Sequence, residues 1–365
     1  MLFVSTPVGP LGSGVGGGVE LTIQNLIQVL ASRSHHVRVA APLGSRLPGV
    51  DAATFVQIPG SWQPTAQSQS SPGGVVFNSA LSNAWEYARQ YQKEVDLIVN
   101  FAYDWLPFYL TPFFETPIAH FVSMSALSDS TEPKPVAFAI GQVAQSFPGT
   151  IGSYTRSQAD SFCLPIRWEI LGGAIALSQY QFQSQPSNYL AWVGRIAPEK
   201  GLEDAIAAVI QSNHALKIFG KLEHPQYWQS LQPYIQQASS NAPIQYCGFL
   251  PTSALQAQLG KSKALIMTPK WLEAFGLVTI EALACGVPVI SYNRGGPGEI
   301  IENGRTGWLV EQDNINGLVS AIASIPDINR ALCRQWAEKH YSLSAWGKRF
   351  ERWFNQIIND AERPD

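Results

Sequence analysis

The sequence predicts an α/β protein of two doubly wound domains, each built on a parallel sheet. Three observations carry this. Short apolar runs of strand length alternate with helix-length patterns through both halves of the chain. The chain has 365 residues, which suits two domains of ordinary size, and its 45% hydrophobic content is enough for two cores. A polar, periodless stretch at 178–188 (Ser-Gln-Tyr-Gln-Phe-Gln-Ser-Gln-Pro-Ser-Asn) separates the two series.

In order, the first series has strands at 2–5, 37–41, 95–101, 118–122, 150–153 and 168–171, with helices at 19–32 and 80–91 among them. The second has strands at 189–193, 216–219, 244–248, 264–268, 287–291 and 307–310. The domains are therefore expected at 1–175 and 185–343, with a final helix near 344–360 in the tail to 365. That helix carries Trp346, Phe350, Trp353 and Phe354, an aromatic face that reads as interdomain core in preference to a membrane anchor. The segment 60–74 is long, polar and without periodicity, so it is either a functional loop or merely disordered.

Charge excludes several classes. Only 14% of residues are charged and the formal net charge is −3, which implies no nucleic-acid partner. The first 170 residues carry 8 Lys and Arg against 11 Asp and Glu, whereas a half that docks on anionic lipid should be basic. No apolar run is long enough to span a bilayer, and Met1 leads straight into a strand with no signal peptide. Cys163, Cys247, Cys285 and Cys333 have neither metal nor redox spacing and read as reduced thiols of a cytoplasmic protein.

The most informative segment is 271–290, Trp-Leu-Glu-Ala-Phe-Gly-Leu-Val-Thr-Ile-Glu-Ala-Leu-Ala-Cys-Gly-Val-Pro-Val-Ile. Phe275, Gly276, Leu277 and Val278 read as the entry to a helix. Gly276 lets backbone approach a ligand closely, and the first N–H groups of the helix then point at it with the positive end of the macrodipole behind them. Glu273 and Glu281 flank that anion site, an arrangement that suits a nucleotide-sugar: diphosphate on the N–H groups, hydroxyls on the carboxylates. The plainer reading is an ordinary helix–strand unit. A second segment, 191–202, runs from a strand through Gly194 into a loop with Arg195 and Lys200. Two cations at a strand's C-terminal end form a diphosphate clamp, unless Arg195 is simply paired with Glu199.

Here the chain resembles a known family. The stretch 194–201 (Gly-Arg-Ile-Ala-Pro-Glu-Lys-Gly) and Glu273 followed after seven residues by Glu281 look like the donor-site motifs of retaining GT-B glycosyltransferases of family 4. The stretch 295–310 (Gly-Gly-Pro-Gly-Glu-Ile-Ile-Glu-Asn-Gly-Arg-Thr-Gly-Trp-Leu-Val) is similar to that family's downstream segment. The resemblance implies two Rossmann-like domains facing across a cleft, an acceptor-binding first domain, and a last helix that crosses back to it. It implies Glu281 as ribose ligand, Glu273 as ligand of the donor-sugar hydroxyls, and same-face attack without a carboxylate nucleophile. One departure is that Ile-Leu-Gly-Gly-Ala-Ile at 170–175 replaces the family's usual Asn-Gly-Val-Asp.

The stretch 12–17, Gly-Ser-Gly-Val-Gly-Gly, satisfies the dinucleotide fingerprint between a strand and a helix. The next strand ends Ala-Ala-Pro-Leu-Gly, without the acid that would hold a ribose. A cofactor is therefore not expected, and a flexible glycine loop remains. In the resembling family this loop contacts donor phosphate or acceptor. Gly16 and Gly17 are assigned here to the donor, Gly18 and Glu20 to the acceptor. No Asp-x-Asp occurs, which fits a diphosphate stabilised by Arg195, Lys200 and the helix start without a metal. His120 ends a strand; it is either a packed core histidine or, by the family pattern, a residue near the donor sugar. Asp104 is either a helix N-cap or a group that hydrogen-bonds or deprotonates an acceptor hydroxyl.

The opening at 3–22 and the stretch 100–114 (Asn-Phe-Ala-Tyr-Asp-Trp-Leu-Pro-Phe-Tyr-Leu-Thr-Pro-Phe-Phe) are similar to cyanobacterial UDP-glucose:tetrahydrobiopterin glucosyltransferases. This implies UDP-glucose as donor and a reduced pteridine as acceptor, stacked on an aromatic such as Trp105 or Tyr103. Most of the seven aromatics between 101 and 114 should nonetheless be core. Three rivals remain: a family 4 transferase acting on lipid or polysaccharide, a nucleotide-sugar epimerase, and a non-catalytic sugar-nucleotide binder.

Overall fold

The structure, a computed structural model, describes residues 1–47, 53–63, 78–126 and 135–362. The chain divides into two compact units: Met1–Gly173 with Leu343–Asp365, and Ala174–Ser342.

The first unit runs β1 (Leu2–Val4), α1 (Gly18–Ala31), β2 (Val37–Pro42), β3 (Ala53–Ile58), α2 (Ala80–Tyr91), β4 (Ile98–Asn100), α3 (Trp105–Leu110), β5 (Ile118–Val122), α4 (Pro135–Ser146), β6 (Ile151–Ser153), α5 (Arg156–Asp160) and β7 (Glu169–Ile170). The second runs β8 (Leu190–Val193), α6 (Leu202–Gln211), β9 (Leu216–Phe219), α7 (Pro225–Ile235), β10 (Ile244–Tyr246), α8 (Thr252–Gly260), β11 (Leu265–Met267), α9 (Leu277–Ala284), β12 (Val289–Tyr292), α10 (Pro297–Ile300), β13 (Gly307–Val310), α11 (Ile315–Ala323) and α12 (Arg330–His340). The last helix, α13 (Leu343–Ala361), belongs to the first unit.

The sheets are ordered β3-β2-β1-β4-β5-β6-β7 and β10-β9-β8-β11-β12-β13, and every strand pair is parallel. Each chain segment starts mid-sheet, builds to one edge, then crosses over to build the other. The strand order reverses between β1 and β4 and between β8 and β11. In open α/β sheets, ligands bind outside the carboxyl ends of the strands at such a reversal. Central strands are buried on both faces, so they are continuous apolar runs. In the second unit Leu190, Trp192, Ile218, Ile266 and Ile290 form one core with Leu202, Ile206 and Val209 of α6 and Leu318 and Ile322 of α11.

One strand has no counterpart in the sequence reading. β3 pairs with β2 along all six residues, from Val37↔Ala53 to Pro42↔Ile58. It is an edge strand with only Ile58 buried, so it shows no apolar run. The aromatic face of α13, expected between the domains, is core of the first unit. Trp346, Phe350, Trp353 and Phe354 are buried. Trp346 Nε1 donates to Gly172 O (2.9 Å) and Trp353 Nε1 to Gly149 O (2.7 Å). The carboxylate of Glu351 accepts from His35 Nε2 (2.8 Å) and from Arg33, tying α13 to the end of α1. Among the described residues no helix is long and apolar enough to cross a membrane.

Candidate active site

In the second unit, the loops that leave β8 and β11 meet at the reversal of strand order. Gly201 closes the first loop in the left-handed region (φ 62°), and a Cβ there would lie 2.0 Å from Thr268 O. Thr268 Oγ1 donates to Gly201 O (2.6 Å), and Lys270 N to Glu199 O (2.9 Å). These bonds bring Lys200 and Glu273 into contact: Nζ lies 2.6 Å from Glu273 Oε2. Trp271 Nε1 donates to the same oxygen (3.1 Å), and Lys200 Nζ sits 4.8 Å from the Trp271 ring centroid. The backbone of Glu273 is held from below, where Gly296 N donates to Glu273 O (2.7 Å). Gly295 permits that approach, since a Cβ on it would meet Glu273 O at 2.2 Å.

Arg195 lies on the same loop. Its Nη1 donates to both carboxylate oxygens of Glu223 (2.8 Å each) and its Nη2 to Glu199 Oε1 (2.9 Å). The plainer reading of Arg195, a pair with Glu199, is thus present, and Glu223 adds a second partner. A diphosphate would have to compete with two carboxylates for this guanidinium. Gly194 ends β8 with its N–H on Phe219 O (3.0 Å), one residue ahead of Arg195.

Gly276 caps α9 in the left-handed region with no side-chain cap. The first N–H groups of a helix have no partner within it, so those of Leu277 and Val278 are left without an intrahelical acceptor at the start of α9. Phe275 is buried and packs edge-on against Tyr341 (6.2 Å). Glu281, over a turn into α9, accepts a hydrogen bond from Tyr180 Oη at 2.6 Å. Burial raises its carboxyl to about 7, against a smaller lowering by the tyrosine bond. Tyr180 itself is buried, and its phenol is pushed up by burial and by the neighbouring Glu281. Sequence reasoning passed over Tyr180, Trp271 and Glu223. The one signal for Tyr180 was an aromatic residue in a Gln- and Ser-rich stretch.

In the first unit, the loops after β1 and β4 leave at its own reversal of strand order. The glycine loop is closed by Glu20, whose carboxylate accepts from the N–H groups of Gly12 (2.7 Å), Gly14 (3.1 Å) and Gly16 (2.6 Å). Glu20 is buried and therefore occupies the very N–H groups that could have faced a ligand. Gly17 and Gly18 remain as the turn into α1.

His120 is fully buried and stacks on Phe108 at 4.4 Å. Thr111 Oγ1 gives its proton to Pro107 O (2.9 Å), so His120 Nε2–H donates to Oγ1 (2.9 Å) and Nδ1 accepts from Asn100 Nδ2 (3.2 Å). Burial lowers its pKa to about 3, in keeping with this neutral tautomer. Both ring nitrogens are engaged, so a contact with ligand requires one of these bonds to open. Asp104 caps α3, with Oδ1 accepting from Leu106 N (2.9 Å), and burial raises its carboxyl. Of the seven neighbouring aromatics, Phe101 and Phe108 are fully buried and Tyr103 and Phe114 half-buried. Trp105, Tyr109 and Phe113 are exposed in a row, with centroids 5.7 and 5.8 Å apart. Of the 60–74 segment, residues 64–74 lie outside the described residues. Among the described residues no group of three or more His, Cys, Asp or Glu is disposed to hold a metal ion.

Residues 177–342 match the family model for glycosyl transferases group 1. The chain is 36% identical over 146 residues to glycogen synthase of Mycobacterium tuberculosis, covering 38% of this chain and 34% of that protein. It is 39% identical over 116 residues to the D-inositol 3-phosphate glycosyltransferase of Rhodococcus opacus, covering 31% and 26%. The matches thus span about a third or less of these curated relatives' own length. Among solved structures, sucrose-phosphate synthase from Thermosynechococcus elongatus superposes with a TM-score of 0.78 at 17% identity, covering 98% of this chain and 99% of that one. Anabaena HepE, solved in complex with UDP-glucose, gives 0.74 at 16% identity, covering 97% and 99%. At these identities the likeness establishes the fold, which is the GT-B fold of such transferases.

Proposed function

We propose that the protein is a cytoplasmic, retaining glycosyltransferase that moves glucose from UDP-glucose to a hydroxyl of a small acceptor, a reduced pteridine such as tetrahydrobiopterin. The observation that carries the reading is the meeting of Lys200, Glu273 and the start of α9 at the strand reversal of the second unit. That unit is the stretch matched by the glycosyltransferase family model. The UDP-glucose complex of HepE supports the choice of donor.

In this reading the diphosphate lies on the N–H groups of Leu277 and Val278. Lys200 leaves Glu273 to neutralise the phosphate oxygens, and Arg195 adds a second cation as Glu199 and Glu223 yield it. Glu273, released, accepts from the sugar hydroxyls, and Glu281 accepts from the ribose. The bond between sugar C1 and the β-phosphate oxygen breaks first. The acceptor oxygen bonds C1 on the face the phosphate leaves, and its proton passes to the departing phosphate. A preorganised cluster of cations and N–H groups is the main source of stabilisation for such a step. The acceptor is assigned to the first unit, with its flat ring on Trp105 and its side-chain hydroxyl near Asp104. There Asp104 accepts a hydrogen bond from that hydroxyl and holds it toward C1 while the proton goes to the phosphate.

Product mass spectrometry tests the reading directly, with UDP- and GDP-sugars offered against pteridine, lipid and sugar acceptors. The expected product is a pteridine carrying one hexose from UDP-glucose. Turnover on lipid or polysaccharide alone would overturn the acceptor, and UDP binding with no transfer to any acceptor would overturn the transferase itself.

A further inference from the structure

The segment entering the second unit is anchored to α9 and α12 at Tyr180. Its hydroxyl donates to Glu281 Oε1 at 2.6 Å. Its carbonyl accepts from Arg334 Nη1 (2.7 Å), and the same nitrogen donates to Ala284 O at the end of α9 (2.7 Å). Only 3% of Tyr180 is exposed, so the phenol is packed in place and its hydroxyl has a fixed direction. Arg334 also pairs with Glu338 (2.6 Å), which fixes the guanidinium in turn. We infer that Tyr180 is a positioning residue for nucleotide recognition: it locks the Glu281 carboxylate in the one orientation that accepts from both hydroxyls of a ribose.

This rests on the reading of Glu281 as the ribose ligand. A glutamate left to itself has three rotatable bonds, and freezing them at the moment of binding costs affinity. The tyrosine bond freezes them beforehand. It uses one lone pair of Oε1, so the other lone pair of Oε1 and both of Oε2 are left for a vicinal diol. A ligand with a single hydroxyl, or none, gains little from that geometry. The device therefore selects a ribonucleoside diphosphate over its deoxy counterpart. It acts on affinity for the nucleotide and not on the sugar-transfer step.

The experiment is calorimetric titration of the full chain with UDP and with 2′,3′-dideoxy-UDP, on the wild type, Tyr180→Phe and Glu281→Gln. Tyr180→Phe keeps the ring in the core and removes only the hydroxyl. It is expected to weaken UDP about 10-fold, the scale of one hydrogen bond to a charged group. It should leave dideoxy-UDP binding unchanged, and turnover at saturating donor unchanged. Equal losses for both nucleotides would mean a merely structural tyrosine, and unchanged UDP affinity in Tyr180→Phe would mean no role at all; either overturns the inference while the ribose reading stands. If Glu281→Gln binds UDP as the wild type does, the ribose reading fails and the inference with it.

Discussion

Lys200 and Glu273, on loops that leave β8 and β11, hold each other at 2.6 Å, with the Trp271 indole bonded to the same carboxylate oxygen. The two charges offset one another, and in the function proposed above a ligand carrying both an anion and hydroxyls separates them. Lys200→Ala is accordingly expected to lower turnover with UDP-glucose by about 10²-fold, the scale of losing one charge-stabilising donor. Glu273→Ala should leave the affinity for UDP within a factor of about three, since in the proposed function only the sugar touches it, yet reduce turnover comparably. Steady-state kinetics with a parallel UDP titration separate the two. Near-normal turnover in a folded Lys200→Ala protein would remove the diphosphate role.

With Glu281 as the proposed ribose ligand, its raised pKa is expected to make nucleotide binding depend on pH. Its carboxyl titrates at about 7, pushed up by burial. Tyr180 bonds it, Cys285 follows the end of its helix, and Arg330 and Arg334 of α12 act on that cysteine. The sign is fixed by the shift. A group raised in the folded state contributes its stabilisation below its unfolded value of about 4.3 and loses it as pH rises through about 7. In the proposed function ribose hydroxyls donate to the ionised form, so UDP should bind more tightly as pH rises through 7, releasing a proton on binding when started below it. Calorimetry in two buffers of different ionisation enthalpy measures that proton. The phosphate of UDP also titrates near 6, so the decisive comparison is with Glu281→Gln, in which the part of the pH dependence centred near 7 should vanish. Its persistence there would assign the titration elsewhere.

The central strands of both units are legible in sequence because they are buried on both faces and stand out as short, largely apolar runs, as in β1, β5, β8 and β11. β3 is not legible, since an edge strand with one buried residue has no run to see. Single residues of the site divide the same way. The helix start at Gly276 can be read locally, because cap and helix adjoin. The partners of the charged side chains cannot, because they are set by folding: Glu223 stands 28 residues from Arg195, and Tyr180 stands 101 residues from Glu281. Glu20 shows what a local reading leaves out. An acid at a helix start beside glycines suggests a ligand contact, but a carboxylate four residues after Gly16 is also placed to curl back onto the loop's own N–H groups.

That closure predicts a mechanical role for Glu20. Glu20→Ala leaves three N–H groups without their acceptor. Water can reach part of the loop, so the expected loss of stability is about 2 kcal/mol, the range of a hydrogen bond to a charged group and not three times it. Amide exchange at Gly12, Gly14 and Gly16 should rise by an order of magnitude or more relative to the core of the first unit. Unchanged exchange at these three glycines would show that the carboxylate does not hold the loop.

Trp105 is the test of the acceptor. It is exposed at the start of α3, next to the capping carboxylate of Asp104, and meets Tyr109 edge-on at 5.7 Å. Because it is not part of the core, its removal should leave the fold intact, unlike loss of Phe101 or Phe108. An aromatic stack contributes roughly 0.5–1.5 kcal/mol beyond its buried area, so Trp105→Ala is expected to raise the acceptor KM about 2- to 10-fold. The donor KM should stay within experimental error, since nothing in that stack touches the nucleotide. Trp105→Phe keeps a flat ring and should recover most of the loss. Fluorescence titration of tetrahydrobiopterin with UDP present gives the binding side of the same comparison. Saturable binding that Trp105→Ala weakens and Trp105→Phe restores places the pterin on this helix. Equal rises in donor and acceptor KM would instead mark Trp105 as a residue that shapes the first unit, and saturable pteridine binding indifferent to all three side chains would move the acceptor elsewhere.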